Sequence, residues 1–247
     1  MFPPTIKIVG FHNAKSMNQI YCLHDNILDL LKKKIDKTDM LTFDDGHYSV
    51  YKYKYILDDI DCKKILFVTP SYISMNRREE EPDMSIYYQW YYRIMHKSPW
   101  LTIYEVEDLI QNHNIELGMH SYFHDFVYVK GQNDEDRMWR MYKITTDKRK
   151  MKILNRMYGI HSSLSVKGLD VLNGCLYHRN DTQFEEFIKS DTFMCIDWFK
   201  KYFGVPKKYA YPFFEGSATL DAELFKYGIK KDNIYGKRKN IEECKNK

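Results

Sequence analysis

The chain has 247 residues, 44% of them hydrophobic and 29% charged, with a formal net charge of +4. This is material for one large domain or two small ones with an ample core. So mild a charge does not call for nucleic acid, and no apolar run approaches the roughly 20 residues that cross a bilayer.

The five cysteines (Cys22, Cys62, Cys175, Cys195 and Cys244) are odd in number, scattered and without a CxxC pair. This predicts reduced thiols in the cytoplasm and argues against a thiolate zinc site. Met1-Phe2-Pro3-Pro4-Thr5 shows no charged segment followed by an apolar one, so no secretory signal is expected. With 21 Tyr and 14 Phe against 11 Gly the chain is rich in rings, which serve either a core or a sugar-stacking groove.

In chain order, Ile6-Lys7-Ile8-Val9 reads as a first strand running into Gly10-Phe11-His12. Asp25 caps a predicted helix with Ile27, Leu28, Leu31 and Ile35 on its apolar face. The next strand, Leu41-Thr42-Phe43, ends in Asp44-Asp45-Gly46. Neighbouring carboxylates at a strand end repel unless a cation or proton takes up the charge. That suggests one acid on a metal and its neighbour handling a proton; a turn-capping pair is the alternative. Tyr53 to Ile60 is predicted helical, and Lys64 to Val68 is a buried strand ending at Thr69-Pro70. Residues 71–98 carry the charge run Arg77-Arg78-Glu79-Glu80-Glu81 and then the aromatic stretch Tyr87 to Tyr92. They read as a surface loop followed by a helix, or as the wall of a sugar groove.

Thr102 and Glu105 have capping-box spacing and open a helix with Ile103, Val106, Leu109 and Ile110 inward. Ile115 to Met119 is a short strand delivering His120-Ser121-Tyr122-Phe123-His124. Residues 130–180 are heavily charged, with a helix predicted near Met138 to Tyr142 and a solvated helix face at Lys148-Arg149-Lys150. Thr182 and Glu185 predict a second capping box. Asp191 is expected to cap a further helix that stops at Gly204. Val205 to Tyr211 is strand-like and breaks at Pro212-Phe213, and the tail from Lys230 is basic and polar.

Strands alternating with helical patterns predict a parallel sheet or barrel, in which reactive groups collect at the carboxyl ends of strands. Asp44 and Asp45, His120 and His124, and the Tyr211 to Phe213 turn all fall at such ends. One carboxylate with two imidazoles is a three-ligand set for a catalytic divalent cation, leaving a position for water or substrate. The i, i+4 spacing of His120 and His124 brings them to one face if the segment makes a helical turn.

Thr42-Phe43-Asp44-Asp45-Gly46 and His120-Ser121-x-x-His124 resemble the first two motifs of the polysaccharide deacetylase (NodB-homology, carbohydrate esterase family 4) superfamily. Val9-Gly10-Phe11-His12, Phe67-Val68-Thr69-Pro70 and the "FAYP"-like Tyr209-Ala210-Tyr211-Pro212-Phe213 extend the resemblance over most of the chain outside residues 130–180. It implies an α/β fold, a distorted (β/α) barrel of about seven parallel strands, as one domain over residues 1–247 with a variable insertion at 130–180. It also implies metal-dependent removal of acetate from an N-acetylated sugar. Asp45, His120 and His124 would hold the metal, zinc in this family. Asp44 would be the general base and the backbone N–H of Phe213 an oxyanion donor, with Tyr122 and Tyr211 against the substrate.

Two departures stand out. The Arg that pairs with the base in many members is Ala210 here, and no late Leu-x-His supplies the general acid. His12 is the first substitute, with His47 and His178 behind it. The expected substrate is nucleotide-linked, lipid-linked or oligosaccharide sugar, used in capsule or lipopolysaccharide biosynthesis. The basic tail offers a peripheral membrane contact. Two other functions remain open: hydrolysis of another C–N bond, in an imide or formamide, and metal-stabilised carbohydrate binding without catalysis.

Overall fold

The computed structural model describes residues 7–11, 14–20, 39–82, 100–131, 144, 147–172 and 175–238. His12, the helix expected after Asp25, the Tyr87 to Tyr92 stretch and the helix expected near Met138 to Tyr142 lie outside them. The chain divides into two compact units, Met1–His120 and Ser121–Lys247.

The first unit is built on β1 (Lys7–Phe11), β2 (Ala14–Ile20), β3 (Met40–Phe43), β4 (Lys63–Val68) and β5 (Glu116–Met119). Strands β2 to β5 pair in parallel, each with the next. By contrast β1 runs antiparallel to β2, a departure from the all-parallel expectation. Two residues separate those strands, enough to reverse a chain but far too few for a parallel crossover. All four residues of β3 are buried, as are the last five of β4, which is the apolar signature of a covered parallel sheet. Phe43 pairs with Leu66 and Val68 with Met119, so the carboxyl ends of β3, β4 and β5 lie along one edge.

Helices α1 (Ser49–Lys52) and α2 (Lys54–Asp58) follow β3, where one helix over residues 53–60 was expected. Helix α3 (Ile103–Asn112) opens on the predicted capping box. Thr102 Oγ1 accepts from Glu105 N at 3.3 Å, and the Glu105 carboxylate accepts from Thr102 N at 2.7 Å. These two bonds satisfy donors that a helix start leaves without partners.

The second unit holds a four-stranded antiparallel sheet in the order β7-β6-β8-β9, formed by β6 (Phe126–Lys130), β7 (Tyr158–Ser162), β8 (Leu169–Leu172) and β9 (Cys175–His178). Strands β7, β8 and β9 fall within residues 130–180, where only helices were expected. Helix α4 (Lys148–Met157) contributes Met151 to a core with Phe126, Tyr128 and Ile160, and exposes Arg149 and Lys150 as expected. Helix α5 (Asp181–Tyr202) is continuous for 22 residues, where two helices were expected. Its capping box is Asn180 with Gln183, not Thr182 with Glu185: Asn180 sits outside the first turn, where its side chain accepts from Gln183 N at 2.8 Å. Thr182 lies within the helix, and Asp191 is in its interior rather than at a start.

The strand-like segment ending at Tyr211 forms β10 (Tyr209–Gly216), which continues through Pro212 instead of ending there. It pairs in parallel with β11 (Ile234–Arg238), a strand the polar tail did not reveal. The ladder skips from Ala210 to Glu215, which accommodates a proline that has no N–H to donate. Helix α6 (Ala218–Lys226) follows, capped by Ser217, whose hydroxyl accepts from Leu220 N at 3.2 Å. No described helix is long and apolar enough to cross a membrane.

Candidate metal centre

Strand β3 stops at Phe43 and delivers Asp44, 1% exposed, and Asp45 just beyond the sheet edge. The Asp45 backbone is left-handed at φ 68°, followed by Gly46 at φ 81°. Gly46 is needed there twice over, because a Cβ would also press to 2.9 Å from the Ile73 methyl.

At the same edge β5 delivers His120, 1% exposed. Its position is fixed by continuation of the β4–β5 ladder: His120 N donates to Val68 O at 3.0 Å, and Thr69 Oγ1 donates to His120 O at 3.1 Å. His120 Nε2 lies 3.4 Å from Asp45 Oδ1 and 3.8 Å from Asp44 Oδ2.

After His120 the chain makes a tight bend, not the helical turn that the i, i+4 spacing suggested. Ser121 at φ 69° and His124 at φ 49° are both left-handed. The bend is held from within the second unit by Asp191. Ser121 Oγ donates to Oδ2 at 2.9 Å, Tyr122 N to the carboxylate at 3.1 Å and Phe123 N to Oδ2 at 3.0 Å. Ser121 Oγ in turn accepts from His124 N at 3.0 Å. Burial pushes the Asp191 carboxyl up to about 6 against the opposing pull of those donors.

Asp45, His120 and His124 each offer a donor atom, all within 4.8 Å of one another. Zinc holds nitrogen and oxygen ligands at about 2.0–2.2 Å, so donors sharing it stand roughly 3–4 Å apart. One carboxylate and two imidazoles grouped this closely could hold such a cation.

The remaining expected residues are placed as follows. The Phe213 ring packs 4.7 Å from the His124 ring and 6.4 Å from Phe126, and Phe213 and Phe214 are left-handed at φ 57° and 65°. Tyr122 is half-buried and edge-on to Phe123. Tyr211 departs from the substrate-facing expectation: its ring is 4% exposed, packed under Gly216 and Gly236, and its hydroxyl donates to Asp221. His47 is fully buried, which holds it neutral and pushes its pKa down to about 3. Its Nδ1 accepts from Ser49 N at 3.2 Å, which leaves the ring proton on Nε2. His178 lies exposed on β9 with Nδ1 3.0 Å from the Arg179 carbonyl.

Two groups were missed from sequence. Asp191 follows the buried stripe Phe184, Ile188, Cys195, Phe199 of α5, and a carboxylate on such a stripe signals a buried partner. The second is His161, 4% exposed, with Nδ1 2.9 Å from Glu215, whose carboxylate also accepts from Ser165 Oγ at 3.2 Å. The uncharged stretch around His161, Tyr158 to Val166, carries no motif that marks it. A hollow of about 520 Å³ beside α3, lined by Tyr48, Arg78, Tyr104 and Glu105 among others, includes no member of the metal cluster.

No family model matches the chain, and no curated protein matches it. Among solved structures it resembles the BpsB deacetylase domain from Bordetella bronchiseptica, with 16% identity, 77% of this chain and 61% of that one covered, and a TM-score of 0.50. A de-N-acetylase from Aggregatibacter actinomycetemcomitans matches with 12% identity, 85% and 68% coverage, and a TM-score of 0.50. IcaB from Ammonifex degensii gives 15% identity, 92% and 79% coverage, and a lower TM-score of 0.45. The chain thus spans about three fifths of the length of the BpsB domain. At these identities the likeness is one of fold: this chain folds as those two deacetylase structures do.

Proposed function

We propose that this chain is a metal-dependent N-deacetylase releasing acetate from an N-acetylated sugar, in a single domain of the NodB-homology type. The observation that carries the reading is the Asp45, His120 and His124 cluster beside the buried Asp44. An amide is a poor electrophile. A divalent cation, zinc in our reading, would supply carbonyl polarisation and a water acidified toward pKa ~7 when held by those three residues.

The chain's own groups do the rest. Asp44 stands one residue from a ligand and takes the proton of the attacking water without occupying the cation's coordination. The Phe213 N–H, on a stretch that leaves the regular β10–β11 ladder, donates to the developing oxyanion. Two imidazoles compete to protonate the departing amine. His12 follows from the sequence. His161 is the second, a buried ring whose Nδ1 is held by the Glu215 carboxylate at 2.9 Å. Loss of acetate release in His161→Gln, or instead in His12→Gln, separates them. Tyr122 borders the substrate.

The substrate class is nucleotide-linked, lipid-linked or oligosaccharide N-acetyl sugar in surface-polysaccharide synthesis. A cytoplasmic setting agrees with the free thiols of Cys62, Cys175 and Cys195 among the described residues. The test is acetate release from UDP-N-acetyl sugars and N-acetylated oligosaccharides, with and without chelator. Release that persists in chelator, or in Asp44→Asn, sinks the assignment. Turnover of imides alone would favour hydrolysis of another C–N bond instead.

A further inference from the structure

We propose that Asp191 is a positioning residue: from the interior of α5 it fixes the bend between His120 and His124 so that both imidazoles are presented to one cation. The proposal rests on the reading of these two histidines as ligands.

Three consecutive residues separate the histidines, and each of the three donates to this one carboxylate. The donors are the Ser121 hydroxyl at 2.9 Å and the Tyr122 and Phe123 amides at 3.1 and 3.0 Å. The link reaches His124 itself, because Ser121 Oγ accepts from His124 N at 3.0 Å. Ser121 at φ 69° and His124 at φ 49° adopt torsions that cost L-residues roughly 1–2 kcal/mol each, so the bend must be over-determined by its surroundings.

The helix itself has no use for a charge at this point. Asp191 is 1% exposed, between Ile188 and Cys195 on a buried stripe that is apolar but for this carboxylate and the neighbouring Thr192 hydroxyl. An apolar residue of similar volume would avoid the desolvation cost of the carboxylate and suit α5 at least as well. What such a residue lacks is the capacity to accept several donors at once, which an ionised carboxylate has. The charge therefore serves the bend. Outer groups that orient metal ligands in this way change metal affinity typically 10–100-fold when removed.

The test is a cobalt(II) titration of the full chain, followed by visible d–d absorption, for wild type, Asp191→Asn and Ser121→Ala. Thermal unfolding by circular dichroism is recorded in parallel. We expect Asp191→Asn to weaken cobalt binding about 10–100-fold and to alter the absorption envelope at a temperature where the variant is fully folded. Ser121→Ala, which cuts only the hydroxyl link to His124, should weaken binding to a smaller degree.

A merely structural aspartate would lower the unfolding midpoint and leave the folded protein's cobalt affinity and spectrum as in wild type; that result overturns the proposal. Should Asp191→Asn fail to fold, Ser121→Ala decides: unchanged cobalt affinity there also overturns it. Wild type that takes up no cobalt brings down the ligand reading together with the proposal. Wild-type uptake with unaffected variants removes the role of Asp191 alone.

Discussion

Asp44 and Asp45 are chemically identical neighbours that the end of β3 separates into two environments, one 1% exposed and the other carried outward on a left-handed backbone. Asp44→Asn keeps the shape and removes the proposed base. We expect it to lower kcat by about 10²–10⁴-fold while cobalt uptake remains, measured by acetate release and titration on one preparation. These acids and the two histidines were legible because ligand chemistry needs those side chains and nothing else at strand ends. Asp191 was misread as a cap because Asp serves both roles, and only its step with Ile188 and Cys195 marks it as interior. Its titration gives a signed prediction. The folded state raises this carboxyl from 3.8 to about 6, so between those values the native protein holds a proton that the unfolded chain has released. Stability from this group is therefore greatest below about pH 4 and falls as pH rises toward 6, by up to roughly 3 kcal/mol. Urea unfolding at pH 4, 5, 6 and 7 should show that slope in wild type and its absence in Asp191→Asn.

At the level of elements, β5 has one position where size is decisive. A Cβ on Gly118 would collide with the ring of Phe67, which is fully buried and stands 6.5 Å from the His120 ring. Gly118→Ala should cost about 1–3 kcal/mol in chemical denaturation, and should weaken cobalt binding because the strand carrying His120 must shift. Thr102→Ala, distant from the ligands, should cost about 1 kcal/mol with cobalt affinity unchanged. Strands β3, β4 and β5 were readable as short apolar runs with punctuated ends. The Thr102–Glu105 box was readable because both partners of the reciprocal bond are in the sequence. The same pattern misled at Thr182 and Glu185, since Asn180 and Gln183, two residues upstream, offer the same pair of bonds. The β6–β9 sheet hid for a different reason. Leu169–Leu172 and Cys175–His178 are only partly buried and mix polar with apolar residues, so neither alternation nor a continuous apolar run announces them.

For the molecule as a whole, a cation that binds only the folded chain must raise its stability. At a free concentration 100-fold above Kd the gain is about 2.7 kcal/mol, so scanning calorimetry should show a rise in Tm on adding zinc and its reversal by chelator. Asp45→Asn should abolish that shift. The α/β class and parallel order were visible in the alternation of strand and helix signals. The division into units was not, since it falls between His120 and Ser121, inside a motif that reads as one piece. Among the described residues, six with side chains have positive φ, and five of them (Asp45, Ser121, His124, Phe213 and Phe214) belong to the three segments that carry the proposed site, with only Asn114 elsewhere. Torsional energy is thus concentrated where the proposed chemistry resides. On gradual heating these turns should revert to extended conformations first. Catalytic output should accordingly decay several degrees before the loss of ellipticity, and cooling from that interval should restore it.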